Sequence, residues 1–398
     1  MGHHALQPFA QGELFFAHNG TLANGSQVAK HAQVLGYHGD MYSDSWALYQ
    51  TLLRGPGQTI EEKIGSALSK TEPAYSLILS DGKKMFGIRD RLGVRPLVLG
   101  RLSEERGYVL ASEPNAFGQV GAYYERDIRP GEGVAIDQNG VRTFFEDPRR
   151  NIDKSEAFCA FEYVYIASPD SKINGRWVGE IRYDLGRRIA RRDLEAGFAP
   201  DVIVPVQNSG SAYADGYAEE MKMQGRKGLV ANSYTGRVFI EPGGRDVASR
   251  IKQRVNPPVV SGKEVVVIDD SIVRSTTARQ LREVLMDHPK YFGMEAPRSI
   301  HIRSGSPKII DQCFLGVDMA KRREELIAYA NPTDEAIAQE LGFDSVRYAE
   351  VVDLVAAIRG NDFVNAPSDR LFQENGLCGG CFTGFHPVRT DQTLGKFE

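Results

Sequence analysis

One stretch, residues 264–277, constrains the fold of this chain more than any other. It opens with EVVVI, in which four of five residues are aliphatic and β-branched. That composition is typical of a strand covered on both faces of a parallel sheet. Two carboxylates follow, Asp269 and Asp270, then a polar loop, and then apolar residues at helical spacing over 278–287. The stretch therefore predicts a strand–loop–helix unit of an α/β domain.

The loop in this unit contains residues that are typical of a phosphosugar-binding site. Loop amides and a helix N-terminus bind phosphate monoesters, and two carboxylates can hold ribose hydroxyls or a metal-bound pyrophosphate. The alternative is an ordinary turn, with Thr276 or Thr277 as N-cap and the aspartates solvated. The hydroxyl run that ends at Thr277, together with Arg274, favours the phosphosugar interpretation.

The sequence DDSIVRSTT, residues 269–277, resembles the 5-phosphoribosyl-1-pyrophosphate (PRPP) loop of phosphoribosyltransferases. More narrowly, it resembles that of the glutamine PRPP amidotransferase family, which usually has glycine at the position of Ser275. The resemblance implies that Asp269 and Asp270 hold the ribose hydroxyls and Mg²⁺. It also implies a set of PRPP-binding residues around the phosphate, namely Ser271, Arg274, Ser275, Thr276 and Thr277.

The first third of the chain carries QPF, then HNG, then SDS ahead of a helical pattern. Taken singly, these are a turn and an N-cap. In this order they resemble the Ntn-type class II glutamine amidotransferase domain. The resemblance implies that Asn19 and Gly20 form an oxyanion hole and that Asp44 holds the α-amino group of glutamine.

The nucleophile of that domain departs from the family pattern. The family uses an N-terminal cysteine, whereas the first cysteine here is Cys159. We assign no glutaminase nucleophile and expect no glutaminase activity from the chain as given. Ser43 and Ser45 are not expected to replace it, since neither is N-terminal nor near an obvious base. Two explanations stay open: a truncated sequence, which the exposed sheet edges would favour, or a protein that takes free or partner-supplied ammonia.

The charged segment 146–156, which contains Pro148, predicts a linker. We expect an N-terminally incomplete class II glutamine amidotransferase sandwich at 1–147. A type I phosphoribosyltransferase domain with a parallel sheet, at 157–398, should follow it. The fold class is thus α/β and α+β. Within the second domain the pattern predicts a helix at 179–196, a strand at 201–206 and a helix from about Ala212.

Other parts of the resemblance concern the substrate. It implies that Ser209 is a Mg²⁺ ligand and that Tyr234 and Arg237 lie on a lid that touches PRPP. Four positions depart from the family pattern, and their effect on the substrate is open: Asn208, Ala231, Ser233 and Ser275. The amide of Asn208 in place of a carboxylate predicts weaker Mg²⁺–PRPP binding.

The four cysteines form a further motif. A lone C-x₂-C pair is compatible with zinc, redox chemistry or chance, and four thiolates suit either an iron–sulfur cluster or a structural zinc ion. Four buried free thiols are a third alternative. The resemblance implies a [4Fe–4S] cluster as in one branch of the family, with these ligands: Cys159, Cys313, Cys378 and Cys381.

Composition narrows the class of protein. A chain of 398 residues suits two or three domains, and a net charge of −4 gives no attraction to nucleic acid or anionic membranes. No apolar run approaches the roughly 20 residues of a membrane span, and the N-terminus lacks the pattern of a signal peptide. With few cysteines, we expect a cytoplasmic enzyme.

The resemblance implies an amidophosphoribosyltransferase, which forms 5-phosphoribosylamine from PRPP and ammonia in the first step of de novo purine biosynthesis. Glutamine supplies the ammonia in full-length members. The implied partners also include purine nucleotides as inhibitors and further copies of the chain, in a dimer or tetramer. Two alternatives stay open: a PRPP-using paralogue that acts on another amine, and a non-catalytic regulator that binds PRPP or nucleotides.

Overall fold

The computed structural model describes residues 6–103, 107–150, 156–231, 253–320, 322–360 and 368–390. No helix in these ranges is both long enough and apolar enough to cross a bilayer. The described elements form an N-terminal antiparallel part and a C-terminal part around a parallel sheet.

The N-terminal part contains nine strands and three helices within the described residues. The strands are β1 (Phe9–Gln11), β2 (Leu14–Asn19), β3 (Ser76–Ser80), β4 (Met85–Arg89), β5 (Val98–Leu102), β6 (Tyr108–Ala111), β7 (Ala122–Asp127), β8 (Glu132–Asp137) and β9 (Gly140–Glu146). The helices are α1 (Gly25–Val34), α2 (Asp44–Arg54) and α3 (Ile60–Leu68). One antiparallel sheet has the order β1-β2-β3-β4-β8-β9, and a second has the order β6-β5-β7.

These sheets stack, as expected for the glutamine amidotransferase sandwich. One face of the six-stranded sheet buries Phe16 and Leu77 against helical residues such as Tyr49. The other face packs on the three-stranded sheet, where Leu110 and Val134 share an apolar cluster. Alternation along each strand separates these two faces, since successive side chains point in opposite directions.

The C-terminal part contains the remaining described strands: β10 (Phe158–Cys159), β11 (Lys172–Ile173), β12 (Arg176–Trp177), β13 (Val202–Pro205), β14 (Leu229–Ala231), β15 (Gln253–Val255), β16 (Glu264–Asp269), β17 (Ser299–Ser304), β18 (Ser345–Tyr348) and β19 (Leu377–Cys378). Its helices are α4 (Val178–Glu195), α5 (Ser211–Glu220), α6 (Pro257–Val260), α7 (Ser275–Asp287), α8 (Ile327–Ala330), α9 (Asp334–Leu341), α10 (Val351–Arg359), α11 (Ser368–Glu374) and α12 (Gly380–Thr383).

A parallel sheet in the order β13-β16-β17-β18 is the centre of this part. All of Val265 to Ile268 are buried, which confirms the two-sided strand predicted from composition. On one face Val266 packs in a cluster with Leu185 of α4, and on the other Val265 packs with Leu281 of α7. Because β13 and β16 are parallel neighbours, the loops at their carboxyl ends meet at one edge of the sheet.

The two parts are joined through a short junction. The amide of Ala157 donates to the carbonyl of Leu92 (2.8 Å), and the amide of Cys159 donates to the carbonyl of Val94 (3.0 Å). β10 then pairs in parallel with β19, so the start of the second part is held between the first part and the C-terminal segment. Domain boundaries at 147 and 157 stay a prediction.

Candidate active site

The helix after the acidic pair begins earlier than the apolar pattern predicts. α7 starts at Ser275, so Ser275, Thr276 and Thr277 form its first turn, and Arg274 occupies the N-cap position. The alternative of Thr276 or Thr277 as N-cap is therefore wrong. The Arg274 side chain makes no capping hydrogen bond. The first-turn amides, which have no partner inside a helix, are thus placed where a phosphate would bind.

Asp269 and Asp270 occupy the carboxyl end of β16. Asp269 Oδ1 accepts hydrogen bonds from the Asp270 amide (2.9 Å) and from Ser209 Oγ (3.3 Å). Asp270 is 5% exposed, and its Oδ1 accepts from Ser271 Oγ at 2.6 Å. Burial and the neighbouring Asp270 carboxylate raise the pKa of Asp269 well above its usual range. Such a pair of close acids would be stabilised by a divalent cation.

The loop after β13 reaches Asp269 because of a glycine. A Cβ on Gly210 would lie 2.2 Å from the carbonyl oxygen of Ile268, so only glycine allows this approach. The approach places Ser209 against Asp269, while Asn208 is exposed. The predicted strand and helix on either side of this loop are confirmed as β13 and α5.

The side chain of Arg274 has partners that sequence reasoning missed. Its Nε and Nη2 donate to the carbonyl oxygen of Met319 at 3.1 and 2.7 Å, and Nη2 lies 3.5 Å from Glu325 Oε2. A backbone carbonyl leaves no trace in a sequence pattern, so no sequence signal pointed to Met319. The contact ties the PRPP-like loop to a distant segment.

The implied lid falls mostly outside the described residues. Tyr234, Arg237 and Ser233 lie there, whereas Ala231 is the last residue of β14. Their assignment stays a prediction.

In the N-terminal part, the structure gathers the predicted glutamine-binding residues. β2 ends at Asn19, Gly20 follows with φ of 138°, and the Leu22 amide donates to Asp44 Oδ2 at 2.8 Å. Asn19 Nδ2 lies 3.4 Å from Ser112 Oγ. Asp44 is the first residue of α2 and not its N-cap, which is Ser43.

His18 contradicts the expectation that no base lies near Ser45. Its Nδ1 is 2.8 Å from Ser45 Oγ, and its Nε2 is 3.3 Å from the carbonyl oxygen of Ala74. Burial lowers the pKa of His18, so the neutral imidazole is favoured. Both side chains are buried. The pair therefore fixes the end of β2, directly before Asn19.

The backbone segments that carry the four cysteines meet at the junction. Cys159 and Cys378 face each other in the β10–β19 ladder. The carbonyl of Cys381 accepts from the amides of Ile310 (2.9 Å) and Asp311 (3.1 Å), just before Cys313.

Burial raises the pKa of the Cys378 thiol to about 12. Burial, and then the other three thiols, raise the pKa of Cys381 well above its usual range. Within the ranges that the structure describes, no three His, Cys, Asp or Glu side chains form a group that would hold a single metal ion.

Comparison with known proteins places this geometry in a family. A family model described as a glutamine amidotransferase domain matches residues 2–119. An amidophosphoribosyltransferase of Methanocaldococcus jannaschii is 34% identical, over 98% of this chain and 81% of the relative. The chain belongs to the amidophosphoribosyltransferase family. Members from Mycobacterium tuberculosis are 36% identical over 95% of the chain.

A solved structure of this family has the same fold. It is the glutamine PRPP amidotransferase of Bacillus subtilis, complexed with ADP and GMP. It superposes with a TM-score of 0.84 at 33% identity, over 99% of this chain and 82% of that one. The predicted fold class, a glutamine amidotransferase sandwich followed by a phosphoribosyltransferase domain, is confirmed.

Proposed function

We propose that the chain transfers ammonia to C1 of PRPP, forming 5-phosphoribosylamine and releasing pyrophosphate, the first step of de novo purine biosynthesis. One observation carries the proposal: Ser209, the acidic pair and the first turn of α7 meet at the carboxyl edge of the parallel sheet. This edge is where ligands bind in open α/β sheets.

The phosphate end of PRPP would bind at the start of α7. The amides of Ser275, Thr276 and Thr277 lie in the first helical turn, and their hydroxyls and that of Ser271 add donors. The positive end of the helix dipole favours the phosphate charge. Arg274 adds a cation at the same end.

The aspartates at the carboxyl end of β16, together with Ser209, would hold the ribose and Mg²⁺. Ser209, Asp269 and Asp270 supply hard oxygen donors, which fit Mg²⁺. Burial, and then the charge of Asp270, raise the pKa of Asp269, and a bound cation would favour its ionised form. When bound with pyrophosphate, Mg²⁺ neutralises charge on the leaving group.

The reaction depends on how the reactants are positioned more than on covalent catalysis by the protein. The C1–O bond to pyrophosphate breaks as the ammonia nitrogen bonds to C1, and the nitrogen then releases a proton. The residues around Asp269 would hold the ribose so that C1 faces the nucleophile. Their negative charge also stabilises an oxocarbenium-like centre.

The test is release of pyrophosphate with PRPP, Mg²⁺ and ammonium. Release with ammonium supports the proposal. Release only with another amine would favour the paralogue, and binding without release would favour the regulator. No PRPP binding in calorimetry would overturn both enzyme alternatives and leave only a regulator that binds nucleotides. Asp287→Asn, at the far end of α7, is the matched control for Asp270→Asn.

For glutamine, we propose binding at Asn19, Gly20 and Asp44. The first cysteine of these 398 residues is Cys159, so ammonium and not glutamine is the nitrogen source in this assay. Replacing ammonium with glutamine should give no pyrophosphate release above the rate without any nitrogen donor. Turnover with glutamine at the ammonium rate would contradict this expectation.

For the cysteines, we propose a structural [4Fe–4S] cluster held by Cys159, Cys313, Cys378 and Cys381. The support is that the three segments that carry these cysteines meet at the junction, and that thiolates are the ligands of such clusters. Protein purified without oxygen should be brown and contain about four iron atoms per chain. One zinc ion per chain would favour the structural zinc site, and colourless metal-free protein would favour free thiols.

We also propose regulation by purine nucleotides in the cytoplasm. The Bacillus subtilis relative was solved with ADP and GMP. Adding ADP with GMP should therefore inhibit the ammonium-dependent reaction.

A dimer or tetramer in light scattering would match the expected homo-oligomer. Limited proteolysis between 147 and 157 would support the proposed domain boundaries.

A further inference from the structure

A tyrosine that sequence reasoning missed packs against the strand that carries the acidic pair. Tyr213 lies in the first turn of α5, four residues after Ser209. Its side chain is fully buried, in one apolar cluster with Val266 and Ile268 of β16. Since Ile268 directly precedes Asp269, the ring lies next to the end of β16 that forms the proposed PRPP site.

The ring of Tyr213 fills the space beside Gly305, the first residue after β17. A Cβ built on Gly305 would lie 2.6 Å from Tyr213 Cζ and closer still to Cε1, so no side chain fits there. The amide of Gly305 donates to the carbonyl oxygen of Asp269 at 2.8 Å. The ring therefore contacts the backbone that holds Asp269 on the β17 side.

Both ends of Tyr213 are fixed. Its Oη donates to the carbonyl oxygen of Val164 at 2.9 Å. A Cβ on Gly186 of α4 would overlap the Tyr213 carbonyl oxygen, so the backbones of α4 and α5 touch at this point. Because the hydroxyl and the backbone are both held, the ring cannot swing away from Gly305 in this densely packed interior.

Tyr213 thus lies between two loops that hold Asp269 from opposite sides. On the side of β13, Ser209 Oγ donates to Asp269 Oδ1 at 3.3 Å. On the side of β17, the Gly305 amide donates to the Asp269 carbonyl oxygen. Since β16 lies between β13 and β17 in the sheet, a rigid aromatic ring sets the spacing of the two loops around the acidic pair.

We propose that Tyr213 is a positioning residue of the PRPP site, which fixes Asp269 by setting the distance between Ser209 and Gly305. This inference rests on the proposed function, because it takes the ligand at the acidic pair to be PRPP with Mg²⁺. The acidic pair would hold ribose and metal both before and during the reaction. Loss of its correct position should therefore raise the KM for PRPP more than it lowers kcat.

Ammonium-dependent pyrophosphate release at varied PRPP, with Mg²⁺ in excess, tests the inference. Tyr213→Ala removes the ring and should raise the KM for PRPP by about tenfold or more, because a misplacement on the order of 1 Å can cost about 10²-fold. Tyr213→Phe keeps the ring and loses only the hydroxyl. Its KM should be much closer to that of the unmodified chain.

Tyr217→Ala is the matched control. Tyr217 lies one turn further along α5, is also fully buried and packs in the same apolar cluster. Its hydroxyl donates to Asp193 Oδ2 at 2.6 Å, and not toward the proposed site. Tyr217→Ala should lose stability in urea unfolding as Tyr213→Ala does, yet keep the KM for PRPP.

Gly305→Ala tests the same contact from the other side. Its Cβ would overlap the Tyr213 ring, so this variant alone should also raise the KM for PRPP. Added to Tyr213→Ala, it should cause no further rise, because the ring that it would meet is gone. Gly100→Ala is its control, since that Cβ would meet an aromatic ring far from the acidic pair, 2.8 Å from Phe117 Cε2. If Tyr213→Ala does not fold, the comparison of these two glycine variants decides.

The outcomes separate the inference from the proposed function. Equal KM values for Tyr213→Ala and Tyr217→Ala overturn the inference and leave the PRPP site standing. An equal effect of Gly305→Ala with and without the Tyr213 ring also overturns it. If the chain binds PRPP without turnover, calorimetric Kd values serve for the same comparisons. Neither binding nor turnover of PRPP by the unmodified chain overturns the PRPP site and the inference with it.

Discussion

A buried ion pair at the junction predicts an unusual dependence of stability on pH. Glu162 Oε1 lies 3.0 Å from Arg95 Nη2, and the two side chains are 1% and 6% exposed. Burial raises the pKa of Glu162 from 4.5 to about 7, because Arg95 offsets only part of the cost of desolvation. The carboxyl group therefore holds its proton more tightly in the folded protein than in the unfolded chain.

The sign follows from this difference in proton binding. Below pH 4.5 both states are protonated at this group, and it contributes no pH dependence. As pH rises through 4.5 to about 7, the unfolded chain loses the proton first, so folding stability falls. The full loss is about 3.4 kcal/mol, from 1.36 kcal/mol per pKa unit, and about 2.5 kcal/mol of it falls between pH 5 and pH 8.

Glu162→Gln isolates this contribution, because the amide has nearly the same shape and does not titrate. Urea unfolding of both proteins at pH 5, 6, 7 and 8 gives the free energy of unfolding at each pH. The stability of the unmodified protein relative to Glu162→Gln should fall by about 2.5 kcal/mol over this range. Preparations with equal metal content are compared, since Glu162 lies close in sequence to Cys159.

Glu125→Gln is the control, since Glu125 is exposed on β7. Its stability should follow that of the unmodified protein at every pH. Parallel curves for the unmodified protein and Glu162→Gln, within about 0.5 kcal/mol, would refute the reasoning that burial outweighs Arg95.

Three further substitutions test the site and its support. Asp270→Asn should lower ammonium-dependent pyrophosphate release by about 10²-fold or more, as loss of a charged group at a reacting centre does, whereas Asp287→Asn should not; an unchanged rate would remove Asp270 from the site. Gly210→Ala should raise the KM for PRPP and destabilise the fold by about 1–3 kcal/mol, because its Cβ would meet the Ile268 carbonyl oxygen; kinetics and urea unfolding check this, and wild-type values for both would contradict it. Asp193→Asn should cost about 3–5 kcal/mol in urea unfolding, since it leaves the buried Arg303 without its counter-ion; a loss under about 1 kcal/mol would show that the pair is replaceable.

The composition of single segments predicted those strands and helices that depend mainly on their own residues. The run from Val265 to Ile268 is buried as expected, because β-branched side chains on both faces suit a covered parallel strand. The start of α7 was harder to predict. Its first turn, from Ser275, is half exposed or exposed and polar, so the apolar pattern begins only at Ala278.

The contacts that connect the two proposed sites could not be predicted from sequence patterns. The hydrogen bonds from Arg274 to Met319 involve a carbonyl that every residue type has. The approach of Gly316 to Gly20 depends on tertiary packing between two parts of the chain. The N-cap of α2 was ambiguous for another reason, because Ser43 and Asp44 are adjacent and both are good N-caps.

The parallel pairing of Cys159 with Cys378 has a consequence for how the chain is made. During synthesis, residue 159 emerges from the ribosome long before the strand that it must join. The N-terminal sheets can form early. The pairing of β10 with β19, next to the hydrogen bonds that join the two parts, cannot form until residue 378 has been synthesised. Pairings between residues so far apart in sequence form slowly. Until they form, the strand edges stay unpaired, and chaperones act on chains in this partly folded state.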